Sequence, residues 1–398
     1  MAKLINFNTF REFLRSGQIG SILLMLSVII SLLIANSGWG HGFHSLLSYQ
    51  IGIESLHLKY PIELWINDGL MAVFFLLVGL EIKREVLEGE LSTPSKAALP
   101  IFAAIGGMVF PALIFFLLNK GSNTASGWGI PMATDIAFAL AIISMLGKRV
   151  PTSLKVFLAA LAIVDDLGAI VVIALFYSAE LQTVYLFYAA GIVAFLALMN
   201  ALGVKKLIFY IIPGLFLWYF IHNSGIHATI AGVLLAFTVP TNPVKEISPL
   251  ETLEHALTRP VNFLIMPLFA LANTNIRFES GMTAGLSSNM GLGIILGLIL
   301  GKTIGISFLT YLAVKLKLST LPTRSTWKHI IGLGMLGGIG FTMSIFIALL
   351  SFDDPAVQSQ AKFSILVASL IAGISGYLYL NRIYRKGLKK AAPLEEQD

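Results

Sequence analysis

Apolar residues gather in long runs rather than alternating with polar ones, and most runs have roughly the 20 residues that carry an α-helix through a bilayer core. They fall near residues 19–35, 62–82, 97–118, 128–146, 152–177, 182–200, 205–221, 224–238, 258–276, 290–312, 328–350 and 360–383. This predicts an all-α polytopic membrane protein with twelve transmembrane helices. The first run is as long as a full span and no small-residue cleavage site follows it, so it reads as a retained helix and not as a signal peptide. Between the first two runs, Ile51, Ile53, Leu56 and Leu58 alternate with other residues around Glu54-Ser55. That period of two predicts a small external β-hairpin with a two-residue connection.

Polar residues inside the runs carry the chemistry. Leu161-Ala162-Ile163-Val164-Asp165-Asp166-Leu167-Gly168 sets two adjacent carboxylates in the middle of the fifth run. A charge near the centre of a membrane helix is costly and persists mainly where it faces water, a partner or an ion. No break in hydrophobicity supports a helix cap or a solvated loop there, and two such charges side by side call for a cation. Helical neighbours lie about 100° apart, so Asp165 and Asp166 can border one cavity while pointing at different partners. Lys302, in Leu300-Gly301-Lys302-Thr303-Ile304-Gly305, lies mid-run, too deep to snorkel to the surface.

Two runs do not suit a continuous helix. The fourth contains Gly129-Ile130-Pro131-Met132-Ala133-Thr134-Asp135, where proline removes a backbone donor and Thr134 and Asp135 add polarity. The eleventh contains Gly332-Leu333-Gly334-Met335-Leu336-Gly337-Gly338-Ile339-Gly340-Phe341-Thr342, whose glycines either weaken the helix or let it pack tightly. Unwound backbone is tolerated at membrane depth only inside protein or along a cavity. The two runs are seven apart and so oppositely directed. Helices 3–5 and 10–12 are then inverted-topology repeats, with discontinuous helices 4 and 11 crossing near the midplane. Asp135 suits the positive amino half-helix ends, and Lys302 suits the negative carboxyl ends or a pairing with Asp165. The expected organisation is 1–96 (helices 1–2 with the hairpin, interface), 97–178 (core repeat 1), 179–289 (helices 6–9, interface), 290–384 (core repeat 2) and 385–398 (cytoplasmic tail).

Composition agrees with the runs. The chain is 56% hydrophobic and 12% charged, with a mean hydropathy of +0.83, against about 25% charged residues in soluble domains. The absence of cysteine excludes disulfides, thiolate metal sites and cysteine nucleophiles. The net charge of +6 reads as orientation rather than as a nucleic-acid surface. Of the 27 basic residues, only Lys59, Lys120, Arg277 and Lys362 fall on the external side and Lys302 within the membrane. The rest lie at cytoplasmic segments, which places both termini in the cytoplasm. Trp39, Trp65, Trp128 and Trp327 fall near helix ends, as an interfacial belt would.

Several motifs in order, Ala133-Thr134-Asp135-Ile136-Ala137-Phe138-Ala139, Ile163-Val164-Asp165-Asp166-Leu167-Gly168, Ser224-Gly225-Ile226-His227-Ala228-Thr229, Gly301-Lys302 and Gly337-Gly338-Ile339-Gly340-Phe341-Thr342, resemble the bacterial NhaA-type sodium/proton antiporters. The resemblance spans nearly the whole chain, and inverted repeats are themselves a trait of that family. It implies pH-regulated, electrogenic exchange of internal sodium or lithium for external protons in the bacterial inner membrane, without a resident cofactor. Carried over, Asp165 and Asp166 become the ion- and proton-binding carboxylates, with Thr134 and Asp135 at the fourth-helix break and Lys302 as cationic partner. Asp165, Asp166 and Thr134 become the ion's ligands, in keeping with a hard cation's preference for oxygen. Proton and metal ion then compete for the same oxygens, and alternating access of that site gives exchange. The resemblance assigns pH sensing to Glu81, Arg84, Glu85, Glu254, His255 and His227. Thr258 stands where family members can carry a further histidine. The hairpin resembles the family's dimer contact, which implies a homodimer in the lipid membrane. Two other classes would also place carboxylates inside a membrane. An intramembrane aspartyl protease would need a proton shared by Asp135 and Asp165, and a passive sodium channel would lack coupling to protons.

Overall fold

The computed structural model describes residues 7–178, 181–241, 247–279 and 281–391. In chain order it comprises α1 (Phe7–Ala35), α2 (Gly40–Leu47), β1 (Gln50–Ile53), β2 (Leu58–Pro61), α3 (Ile62–Leu87) and α4 (Pro94–Asn119). A 3-10 stretch, Ala125–Met132, then leads through a break to α5 (Ile136–Met145). There follow α6 (Thr152–Phe176), α7 (Thr183–Ala201), α8 (Ile208–His222), α9 (Ile230–Thr238), α10 (Pro249–Asn273), α11 (Asn289–Lys315), α12 (Trp327–Gly337), α13 (Phe341–Ser351) and α14 (Pro355–Ala391).

Among the described residues, eight helices are long and apolar enough to cross a membrane, or up to ten if two bent pairs each count as one span. Those pairs are Ile19–Ala35 with α2, bent by 114°, and α12 with α13, bent by 46°. The twelve expected runs exceed this number because α8 has 15 residues and α9 only nine, or about 22 and 14 Å of rise. A run expected from residue 224 becomes helical only at Ile230. Gly225 at φ +86° turns the chain beforehand, a conformation that glycine adopts at little cost.

The two strands pair antiparallel, Ile51 opposite Tyr60 and Ile53 opposite Leu58. Their connection is the four residues Glu54–His57, with His57 left-handed at φ +52°, and not two residues as expected. Gly52 is required there, since a β-carbon would lie 1.8 Å from the Leu58 carbonyl oxygen.

The helices form two compact units. One takes in the chain up to Gln18, Glu90–Ala169 and the chain from Glu279 onward. Within it α4 and α11 approach closely enough that a β-carbon at Gly106 would lie 2.1 Å from the Gly305 carbonyl oxygen, and one at Gly305 2.0 Å from that of Gly106. This contact fixes the height of Lys302, which follows a π-helical turn at Gly297–Gly301. Such turns re-aim the residues after them.

The other unit is Ile19–Gly89 with Ile170–Phe278. Its core gathers Leu80, Tyr210, Leu217, Leu235 and Leu250. Inside it α3 meets α9 through Gly232, where a β-carbon would lie 2.2 Å from the Ala72 carbonyl oxygen. The unit boundary falls inside α6, at 169/170, and Ile170 and Ile173 line a small cavity with Phe75 and Val233. Large apolar side chains such as Leu33, Leu175, Phe187 and Leu215 are more than half exposed. On a soluble protein they would form an aggregation surface; on a multi-pass membrane protein they face lipid.

Candidate functional site

Two helix breaks meet in the first unit. At the first, Pro131 lacks an amide hydrogen and Ala133 and Asp135 are extended, so the 3-10 stretch ends and α5 begins anew at Ile136. At the second, Gly338–Gly340 separate α12 from α13. A β-carbon at Gly338 would lie 2.3 Å from the Leu298 carbonyl oxygen. The glycines therefore do two jobs, breaking the helix and allowing close packing. The breaks are joined by the Asp135 amide, which donates to the Ile339 carbonyl at 2.6 Å. The Ser344 hydroxyl donates to the Ile130 carbonyl at 2.7 Å, satisfying an acceptor left over by the first break.

Asp135, 2% exposed, caps two helices at once. Its Oδ1 accepts from the Phe138 amide of α5 at 3.1 Å. Its Oδ2 accepts from the Thr342 amide of α13 at 3.1 Å and from the Thr342 hydroxyl at 2.5 Å. Each helix amino end carries about half a positive charge, so one carboxylate balances the pair.

Opposite charge gathers at the other ends of the broken helices. Lys302 is fully buried, and its Nζ donates to Asp165 Oδ2 at 2.6 Å and to the Thr134 hydroxyl at 2.9 Å. The Thr134 hydroxyl lies 2.7 Å from Asp165 Oδ2 and 3.0 Å from the carbonyl of Gly337, the last residue of α12. The ammonium therefore sits beside the negative carboxyl end of α12 as well as beside a carboxylate. Asp165 Oδ1 is buried and makes no hydrogen bond among the described residues. Asp166, 3% exposed, follows on the same helix, within electrostatic reach of Lys302. Among the described residues no three His, Cys, Asp or Glu side chains cluster as a resident metal site would require.

In the second unit Arg84 Nε lies 3.0 Å from Glu254 Oε2 and Arg84 Nη1 3.2 Å from Glu85 Oε1. Glu81 acts on this set electrostatically, and His255, exposed, acts on Glu254. Lys83 donates to the carbonyls of Phe237 and Val239, at 2.7 and 2.6 Å, capping α9. His227 is elsewhere. Its Nε2 lies 3.8 Å from Asp68 Oδ1, and His222 Nδ1 lies 3.5 Å from Asp68 Oδ2. Asp68 and Arg84 are about 24 Å apart along α3, so His227 lies apart from the other five residues that the resemblance assigns to pH sensing.

Reading the sequence missed Thr342, Asp68 and His222 as site residues. Asp68 carried the same signal as Asp165, a carboxylate inside an apolar run. Thr342 carried another, a small hydroxyl residue just after a glycine break.

Comparison with known proteins bears on this arrangement. The sequence profile of a family described as "Na+/H+ antiporter 1" matches residues 11–380. The chain is 64% identical over 384 residues to "Na(+)/H(+) antiporter NhaA 2" of Flavobacterium johnsoniae, covering 96% of this chain and 94% of that one. It is 51% identical over 376 residues to "Na(+)/H(+) antiporter NhaA" of Flavobacterium psychrophilum, covering 94% and 96%. Its fold is similar to that of the sodium proton antiporter MjNhaP1 from Methanocaldococcus jannaschii, with a TM-score of 0.54, 12% identity and coverage of 96% and 99% of the two chains. With a family profile over most of its length and relatives this close, the chain belongs to the Na+/H+ antiporter 1 family.

Proposed function

We propose that this chain is an electrogenic antiporter that moves Na+ or Li+ out in exchange for H+ by alternating access of one site. The observation that carries the reading is the buried Lys302–Asp165–Thr134 cluster with Asp166 beside it. In the proton-loaded state the Lys302 ammonium holds Asp165 Oδ2. Sodium takes its place on the oxygens of Asp165, Asp166 and Thr134, and the entering ion releases protons from Asp166 and from the Lys302–Asp165 pair. More protons than sodium ions then cross per cycle, which makes the exchange electrogenic. Bonds between the breaks, from Asp135 to Ile339 and from Ser344 to Ile130, tie the two broken helices into one moving body. The breaks crossing near the midplane of inverted repeats belongs to the same proposal.

The family's setting comes with it: the bacterial inner membrane, both termini cytoplasmic, a homodimer joined at the hairpin, and pH control through the Arg84–Glu254 cluster with Glu81, Glu85 and His255, together with His227. Ile51, Ile53 and Leu56, all more than two-fifths exposed at the hairpin, support the dimer contact. The other two classes have less support. Asp135 spends its oxygens on Phe138 and Thr342 while Asp165 faces Lys302, which leaves no shared proton for a protease dyad. A cluster this deeply buried is no open cation pore.

The test is proton movement in sealed membrane vesicles on adding sodium, with a potential probe, for wild type and Asp166→Asn. Sodium-dependent, potential-generating proton release that vanishes in the variant is expected. Sodium flux without proton movement would point to a channel. If Lys302→Gln kept full electrogenic coupling, Lys302 would not carry the second proton.

A further inference from the structure

The helix that ends at the ion cluster begins with an unusual cap. Thr326, extended at φ −132° and ψ 167°, is the residue before α12, and His329 is that helix's third residue. The Thr326 amide donates to His329 Nδ1 at 3.0 Å, and the Thr326 hydroxyl lies 2.9 Å from the same nitrogen. A backbone N–H can only donate, so Nδ1 must present its lone pair, and the neutral ring carries its proton on Nε2. His329 is 8% exposed, and Nε2 makes no hydrogen bond among the described residues. The hydroxyl of Tyr384 on α14, whose ring lies 5.0 Å from the imidazole, makes none either.

Glutamate or glutamine normally fills this third position, reaching back to the cap residue's amide. Either would make the bond without burying an unmatched ring N–H. What histidine adds is an acceptor that disappears on protonation.

The charged side chains on the elements packed against α12 are all cationic, which favours the neutral, capping ring and confines its protonation to the acid side. From α14 come Tyr384 and the exposed Arg382 and Arg385. From α11 comes Lys315, over the Tyr311 ring that packs on Trp327. α12 itself adds Lys328, and α5 carries no titratable side chain. Among the described residues no carboxylate acts on the imidazole.

We propose that His329 is a positioning residue whose neutral form caps α12 and thereby sets the Gly337 carbonyl against Thr134, and whose protonation releases that cap. α12 has 11 residues, about 16 Å of helix. It is glycine-lined where it meets its neighbours, Gly334 against the Thr303 backbone and Gly332 against Leu380. A helix seated on such smooth contacts is held in register by its ends. Loosening the amino end shifts the carboxyl end, where Thr134 links Gly337 to Lys302 and Asp165. The inference rests on the antiport reading above.

The experiment compares wild type, His329→Gln and His329→Ala between about pH 5 and pH 8, with equal pH on both sides. Sodium-dependent proton exchange is read in vesicles, and hydrogen exchange of the Thr326, His329 and Ile330 amides is read on purified protein, corrected for intrinsic rates. Glutamine keeps the acceptor and does not titrate, so His329→Gln should hold its rate on the acid side. Its alkaline-to-acid activity ratio should fall about fivefold below wild type, the order of one helix cap. The Thr326, His329 and Ile330 amides should open at acid pH in wild type, stay closed in His329→Gln and be open throughout in His329→Ala. A His329→Gln profile that tracks wild type, or amides in wild type indifferent to pH, overturns the inference. No sodium-dependent proton movement in wild type at any pH defeats the antiport reading instead, and the amide result still decides the role of His329.

Discussion

Removing the carboxylate of Asp135 should cost far more than an ordinary cap. Two backbone amides, those of Phe138 and Thr342, and the Thr342 hydroxyl depend on it, and all three are in a buried environment. A helix cap exchanged for alanine costs about 1 kcal/mol, and a buried donor left unmatched costs roughly 1–3 kcal/mol. Two helix amino ends also lose a compensating charge, at about 0.3–1 kcal/mol each and more when buried. Asp135→Ala should therefore destabilise by roughly 4–6 kcal/mol, from these same terms. Asp135→Asn keeps one oxygen acceptor and caps one of the two helices, so about half that loss is expected. Thr342→Val removes only the hydroxyl and should cost about 1 kcal/mol. Its effect should shrink in the Asp135→Ala background, where its partner is already gone. Unfolding of the purified protein in a fixed detergent, followed by tryptophan fluorescence, measures all four. Asp135→Ala within about 0.5 kcal/mol of wild type, or strict additivity with Thr342→Val, would refute the double-cap argument.

Other outcomes follow from the same geometry. Lys302→Gln and Asp165→Asn should each destabilise by about 3–5 kcal/mol, while Lys302→Met combined with Asp165→Leu recovers most of the loss, because a lone buried charge costs more than none; unfolding of the three variants checks this. Gly305→Val places a side chain 2.0 Å from the Gly106 carbonyl oxygen and should lower folded yield sharply, whereas Gly191→Ala, with nothing within 4 Å, should be neutral or slightly stabilising. Glu254→Gln with His255→Ala removes the charge from the 3.0 Å partner of Arg84. It should shift the pH profile of exchange in vesicles, and an unmoved profile removes these residues from pH control.

Much of this was legible in the sequence, and the reason is physical. A carboxylate or lysine inside an apolar run is so costly that its presence alone marks Asp165, Asp166 and Lys302, and proline or clustered glycine marks a break as plainly. The structure brings Thr134, Asp165 and Lys302 within hydrogen-bond distance and puts Asp135 at two helix ends. What stayed hidden depends on which helices lie side by side, which periodicity does not encode. The approach of α13 to α5 sets Thr342 against Asp135, and the fold sets His227 beside Asp68. The apolar run expected from residue 224 continues through a turn that one left-handed glycine, Gly225, imposes, so α9 begins only at Ile230.

In the proposed cycle, proton and sodium compete for the oxygens around Asp165 and Asp166. The most direct measurement is proton release on adding sodium to the purified protein in weak buffer across pH, for wild type and Asp166→Asn. Competition predicts that protons appear as sodium binds, that the sodium needed for half-saturation rises about tenfold per pH unit per proton displaced on the acid side, and that the release is lost in Asp166→Asn. Sodium binding with no proton release, or an affinity independent of pH, would contradict it.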